Sequence, residues 1–318
     1  MLARIQQLIV LLIVAIVVGG IIVAYKLGRP AWALAAPLLF AGGYMAALAL
    51  EFAWLRASYD PASPDRPTRR QLLFAWLAES LIAPRVFGWR QPFRSAAVAD
   101  FVPGNARGRR GVVLVHGFFC NRGLWNPWMH RLAEEGIPYV AVTLEPPFGS
   151  IDLYVEAIDS AVARLESATG MAPVLVGHSM GGLAIRAWRA RGDRAGRFHR
   201  IVTIGTPHAG TSIARHSRTR NGIEMQPGSP WLEALNANAG EGSHDRFTCF
   251  WGHCDNIVFP TRGATLAGAD NRHVAGTPHV AMAFHPDVMS YVIGSCRSAD
   301  ASGARSPAAA SASPRPRG

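Results

Sequence analysis

Charge is scarce in this chain of 318 residues: 17% of positions carry one, against about 25% in ordinary soluble domains. Lysine is nearly absent, with Lys26 alone among 32 basic residues, so the formal charge of +11 is carried by arginine. The arginines are spread along the chain rather than gathered on one helix or stripe, which argues against nucleic-acid binding. Four cysteines, Cys120, Cys249, Cys254 and Cys296, are too few and too irregularly spaced for a disulfide scaffold. Cys249 and Cys254 sit near His253 and Asp255, but the spacing matches no zinc pattern, so no metal and no cofactor is expected. With 49% apolar residues, a disordered or fibrous chain is excluded.

What the sequence does have is two long uncharged runs at its start. Residues 5–25 hold 21 positions without a charge, roughly 32 Å as a helix, enough to cross a bilayer. A short break containing Lys26, Gly28, Arg29 and Pro30 leads into a second uncharged run over 31–50. Together they predict a two-helix transmembrane hairpin over residues 1–56. A cleaved signal peptide is the competing reading, but the first run exceeds the 7–15 residues of a signal core and is followed by another apolar run. Arg4, Arg56, Arg66, Arg69 and Arg70 flank the hairpin, against Lys26 and Arg29 in its turn. The positive-inside bias therefore puts both ends, and the domain that follows, on the cytoplasmic side of an inner membrane.

Residues 57–90 read as a proline-rich linker followed by an amphipathic helix over 68–83, which either lies on the bilayer surface or packs on the domain that follows. Residues 297–318 are nearly all Ala, Ser, Pro, Arg and Gly, a disordered tail by composition. Between them, residues 91–296 alternate β-branched runs with helical patterns, the signature of an α/β domain with a mainly parallel sheet and helices on both faces. Strands are expected at 111–115, 139–143, 173–176, 200–204 and 247–251, and a helix at 151–168.

The strand Val174-Leu175-Val176 runs into Gly177-His178-Ser179-Met180-Gly181 and then a helical stretch. A serine on such a strand–turn–helix elbow projects its Oγ above the sheet, so Ser179 is the candidate nucleophile. Its oxyanion needs two N–H donors: Met180, directly after the nucleophile, and Phe118, in the loop after the strand ending at Val115. His116 reads as a brace of that loop and His178 as a packed residue of the elbow. The base and acid should follow in the order Ser, Asp, His. Asp255 follows the strand at 247–251. Of the late histidines, His279 has a loop position backed by a helix, with His273, embedded in a strand, and His285, at a helix end, behind it. The stretch 205–244 is long for a connection between strands and is expected to form a lid or an acyl-pocket wall, with Ile223, Met225, Trp231, Leu232 and Leu235 as lining.

These motifs occur in a familiar order: Val115-His116-Gly117-Phe118, Gly177-His178-Ser179-Met180-Gly181-Gly182, Gly205-Thr206-Pro207-His208-Ala209-Gly210-Thr211, and Asp255-Asn256-Ile257-Val258 before His279-Val280-Ala281. Over roughly residues 90–296 the chain resembles bacterial lipases and esterases of the α/β-hydrolase superfamily, in a membrane-anchored branch. The resemblance implies an α/β-hydrolase fold, Ser179, Asp255 and His279 as a triad, and lipid acyl esters as substrates. Some lipases of this kind bind calcium; no ligand set for it stands out here. Thr277-Pro278 precedes His279 where the family pattern would have a glycine. Acyl transfer or thioester hydrolysis on the same triad, and a non-catalytic membrane scaffold, are the alternative readings.

Overall fold

The computed structural model describes residues 1–238 and 242–297; the tail expected over 297–318 lies, beyond Arg297, outside the described residues. Helix α1 (Leu2–Lys26) and helix α2 (Ala35–Ser58) form a hairpin joined by a 3-10 turn. Along α1 only Leu2, Gln6 and Ala24 are buried, while Leu8, Leu11, Leu12 and Ile16 stand exposed, an outward apolar surface that water would not tolerate. Helix α3 (Arg69–Ala83) opens on a capping box between Thr68 and Gln71. Pro84 does not stop it, because a π-helical turn over Pro84–Arg90 shifts the hydrogen-bond pattern around the missing N–H and leads into α4 (Gln91–Arg94). The helix expected over 68–83 is thus part of a longer one. Among the described residues, three helical segments, Leu2–Lys26, Pro30–Ser58 and Arg69–Arg94, are long and apolar enough to cross a membrane, one more than the sequence suggested.

Among the described residues, the α/β domain is built on six parallel strands in the order β2-β1-β3-β4-β5-β6: β1 (Val112–Val115), β2 (Tyr139–Ala141), β3 (Val174–His178), β4 (Arg200–Ile204), β5 (Phe247–Trp251) and β6 (Asp270–His273). The central strands are apolar along their length because both faces are covered. Helices α6 (Val155–Thr169) and α7 (Met180–Ala190) pack on one face through Ile158, Val162, Leu183 and Trp188. On the other lie α5 (Asn126–Glu134) and α11 (Pro286–Arg297), through Trp128, Met129, Val288 and Val292. This is the α/β-hydrolase fold.

The hairpin is seated on this domain. Phe52 and Leu55 of α2 and Leu72 and Ala75 of α3 bury against Cys254 and Phe259, and Trp54 meets Phe259 edge-on at 5.0 Å between ring centres. At the base of α1, the Gln6 amide donates to the Gln91 side chain and the Phe119 carbonyl, 3.0 Å each, and accepts from Asn121.

Candidate active site

The carboxyl ends of the parallel strands converge on one cavity of about 350 Å³, and Phe118, Ser179, Asp255 and His279 each follow such an end. Ser179 follows β3 with φ 55° and ψ −128°, a conformation that costs a non-glycine residue of order 1–3 kcal/mol and is held here by its surroundings. Two things hold it: the Ser179 N–H donates to the Ile204 carbonyl, and α7 begins at Met180 directly beneath. The flanking glycines are required by contact. A Cβ on Gly181 would lie 2.4 Å from the Val115 carbonyl oxygen, so no side chain fits between the elbow and the end of β1.

Asp255, after β5, and His279, at the start of the short helix α10 (His279–Met282), are joined. His279 Nδ1 donates to both carboxylate oxygens, at 3.0 and 2.9 Å, and Asp255 Oδ1 also accepts from the N–H groups of Ile257 and Val258 at 2.9 Å. Both residues are buried, and burial pulls the imidazole pKa down; the Asp255 charge and hydrogen bond, with Glu79 and Glu51 nearby, outweigh it and raise His279 above the ordinary histidine value. Gly205, after β4, completes the fit: with φ +54°, it leaves open the space where a Cβ would come within 2.9 Å of Asp255 Oδ2 and 3.1 Å of His279 Nδ1. Ser179 and His279 both line the cavity, as does Phe118; Met180 is buried at the head of α7.

The neighbouring histidines are structural. His116 Nε2 accepts from the Leu144 N–H and its Nδ1 bonds the Gly117 carbonyl, so it braces the loop after β1 as a neutral ring, its pKa lowered by burial to about 4. His178 Nε2 donates to the His279 carbonyl at 3.2 Å with the two rings 4.7 Å apart; burial and the His279 charge push its pKa down to about 3. His273 lies on β6 and pairs with His253. The turn before His279 does use a glycine, three residues before the histidine: Gly276 has φ +67°, and Pro278 takes the cap position.

Two residues that sequence reasoning passed over come from the apolar helices. Glu79 of α3, buried, accepts from the N–H groups of Val280 at 2.9 Å and Ala281 at 3.2 Å. Glu51 of α2 accepts from Asn256 Nδ2 at 2.7 Å, and Asn256 Oδ1 in turn accepts from the His279 N–H at 3.2 Å. The backbone of 279–281 is therefore clasped from the hairpin side. The available signal was an acid standing alone in each apolar stretch. An N–H left bare in the interior costs about 1–3 kcal/mol, so Glu79→Ala should lower the unfolding midpoint and Glu79→Gln, which keeps one acceptor, should lower it less. Equal midpoints for all three proteins in detergent would show that the clasp carries no stability.

The insertion at 205–244 is where expectation and structure part. Met225, Leu232 and Leu235 are buried in the core with Ile158 and Leu183, Trp231 packs beside them, and Ile223 points outward. None of the five lines the cavity, whose cover comes instead from Leu48 and Glu51 of α2, Glu79 and Ala83 of α3, and Phe87.

A buried Asp–His pair beside a serine on a strained strand–helix elbow, at the carboxyl edge of a parallel sheet, is the arrangement of a hydrolase fold. The chain belongs to the α/β hydrolase family, whose model matches residues 112–316. Among solved structures, a lipase of Bacillus licheniformis in its mature form is 15% identical with a TM-score of 0.50, the match covering 57% of this chain and 89% of that one. Lipase B of Aspergillus fumigatus is 14% identical with a TM-score of 0.50, covering 61% of this chain and 55% of that one. A comparison with curated proteins returned no match.

Proposed function

We propose that the protein is a membrane-anchored serine hydrolase of carboxylic esters, with lipid acyl esters as substrates. The observation that carries this reading is the shared cavity: Ser179, on its strained elbow, and His279, fixed to Asp255, face the same apolar-walled space. His279 takes the Ser179 proton as Oγ bonds to the ester carbonyl carbon; Asp255 orients the ring and stabilises the imidazolium. The N–H groups of Phe118 and Met180 hold the oxyanion, the latter at the positive end of α7. The alcohol leaves with the proton from His279, and water, activated by the same ring, releases the acid. No cofactor enters this scheme.

The hairpin is the anchor, in an inner membrane. Because Leu2 and Leu55 are both buried at the domain end, the start of α1, the end of α2 and the domain share one side, and the basic residues flanking the hairpin make that side cytoplasmic. The experiment is reaction of the full chain in detergent with an alkyl fluorophosphonate, followed by peptide mass spectrometry. One phosphonyl adduct on Ser179 is expected. An active ester hydrolase that labels elsewhere, or not at all, would overturn the assignment.

A further inference from the structure

Beside the Ser179 cavity lies a second, of about 310 Å³, within the range of small-molecule pockets, about 300–1,000 Å³. Its walls are the three apolar helices: Val10 and Val14 of α1, Phe40 and Tyr44 of α2, and the π-helical turn around Gly88. Ala83, Phe87 and Phe119 belong to both cavities, so the two spaces meet across these three side chains. We infer that the second cavity is an acyl-chain channel, through which one long chain of a membrane lipid reaches from the bilayer to Ser179. The inference rests on the ester-hydrolase reading and adds the route by which the substrate's acyl chain reaches the site.

Polarity identifies the occupant. The only side chains in the wall able to hydrogen-bond are Gln6 and Tyr44, and both are engaged: the Gln6 amide with Gln91, Phe119 and Asn121, the Tyr44 hydroxyl with the Glu79 carbonyl. A polar guest would lose its water and find few partners, whereas a hydrocarbon loses nothing. The space is partly open, and three of its own lining residues, Ile9, Val14 and Phe40, stand exposed along the apolar helices, so its mouth faces hydrocarbon. At Gly88, one of the lining residues, a Cβ would meet nothing within 4 Å, so there is room for a side chain.

A chain moving from bilayer to channel exchanges one hydrocarbon setting for another. The channel therefore works as a route and a length gauge rather than as a source of affinity. Its depth is graded along α1: Gln6 is tied to the catalytic domain, and Val10 and Val14 lie about 6 and 12 Å further along the axis.

The test uses the full chain in detergent micelles with p-nitrophenyl acetate and p-nitrophenyl palmitate, comparing wild type with Val10→Trp, Val14→Trp and Gly88→Val. The palmitate-to-acetate turnover ratio should fall at least tenfold in Val10→Trp and by less in Val14→Trp. Across intermediate chain lengths, the longest ester accepted should be shorter for Val10→Trp than for Val14→Trp. Gly88→Val supplies a second narrowing at a position with room for the added atoms. Ratios within twofold of wild type in all three variants would overturn the channel, as would a wild type that cleaves acetate and never palmitate. A wild type that cleaves neither ester fails at the earlier step, and the hydrolase reading falls with it.

Discussion

Ser179→Ala should abolish ester hydrolysis, with kcat lower by on the order of 10⁶-fold, while the protein folds as before. Alanine removes the oxygen that forms the acyl bond and nothing else of the machinery: the buried Asp255–His279 pair, the start of α7 and the cavity walls do not involve Oγ. What remains is the rate the oxyanion donors and substrate binding supply, roughly 10³–10⁴ over water. The backbone strain also remains, because alanine is no more at ease at φ 55° than serine. Ser179→Gly separates the two effects. It should be as inactive as Ser179→Ala yet unfold at a higher temperature, because glycine adopts this conformation at little cost and up to about 1–3 kcal/mol of strain is released. Turnover of p-nitrophenyl esters and thermal unfolding of the three proteins in the same detergent give both readouts. Retention of more than a few per cent of activity in Ser179→Ala would remove serine from the mechanism.

Much of this site can be read without coordinates because its pieces are local. The strands at 200–204 and 247–251 announce themselves as short runs dominated by β-branched, aromatic and apolar residues, interrupted only by Arg200, Thr203 and Thr248, since a parallel strand covered on both faces has little polar side to show. The elbow is local too: Gly177 and Gly181 are present because the Ser179 turn presses on β1 and α7. Edge strand β6, Asp270-Asn271-Arg272-His273, is exposed at every position and carries no apolar pattern, so only its last histidine drew attention as part of a strand. Long-range packing was the opaque part. An amphipathic helix shows that one face is buried, not against what. For that reason the apolar residues of 205–244 read as a lid or pocket wall, whereas Met225, Leu232 and Leu235 fill the core, Ile223 faces outward, and α2 and α3 supply the cover over Ser179. Glu79 bonds residues 201 and 202 positions away, a relation no spacing rule contains.

Asp255→Asn is expected to lower kcat/KM by about 10⁴-fold at its pH optimum and to move the acidic limb of the pH profile to lower pH. The rate loss follows from geometry. Both carboxylate oxygens face His279 Nδ1, and Oδ1 is also held by Ile257 and Val258; an asparagine that keeps those two backbone bonds turns its amide nitrogen toward the imidazole, donor against donor. The ring then favours the tautomer with the proton on Nε2, the nitrogen that must accept from Ser179. The shift of the limb follows from sign. The base works only when neutral, so activity rises as pH climbs through the His279 pKa, which stands above the ordinary value because the Asp255 charge outweighs burial. With that charge gone, burial prevails and the limb falls below its wild-type position. Neither remaining acid can restore the pair: Glu79 is committed to the N–H groups of Val280 and Ala281, and Glu51 reaches His279 only through Asn256. An Asp255→Asn protein with an unmoved limb and less than a tenfold loss would show that another group orients His279.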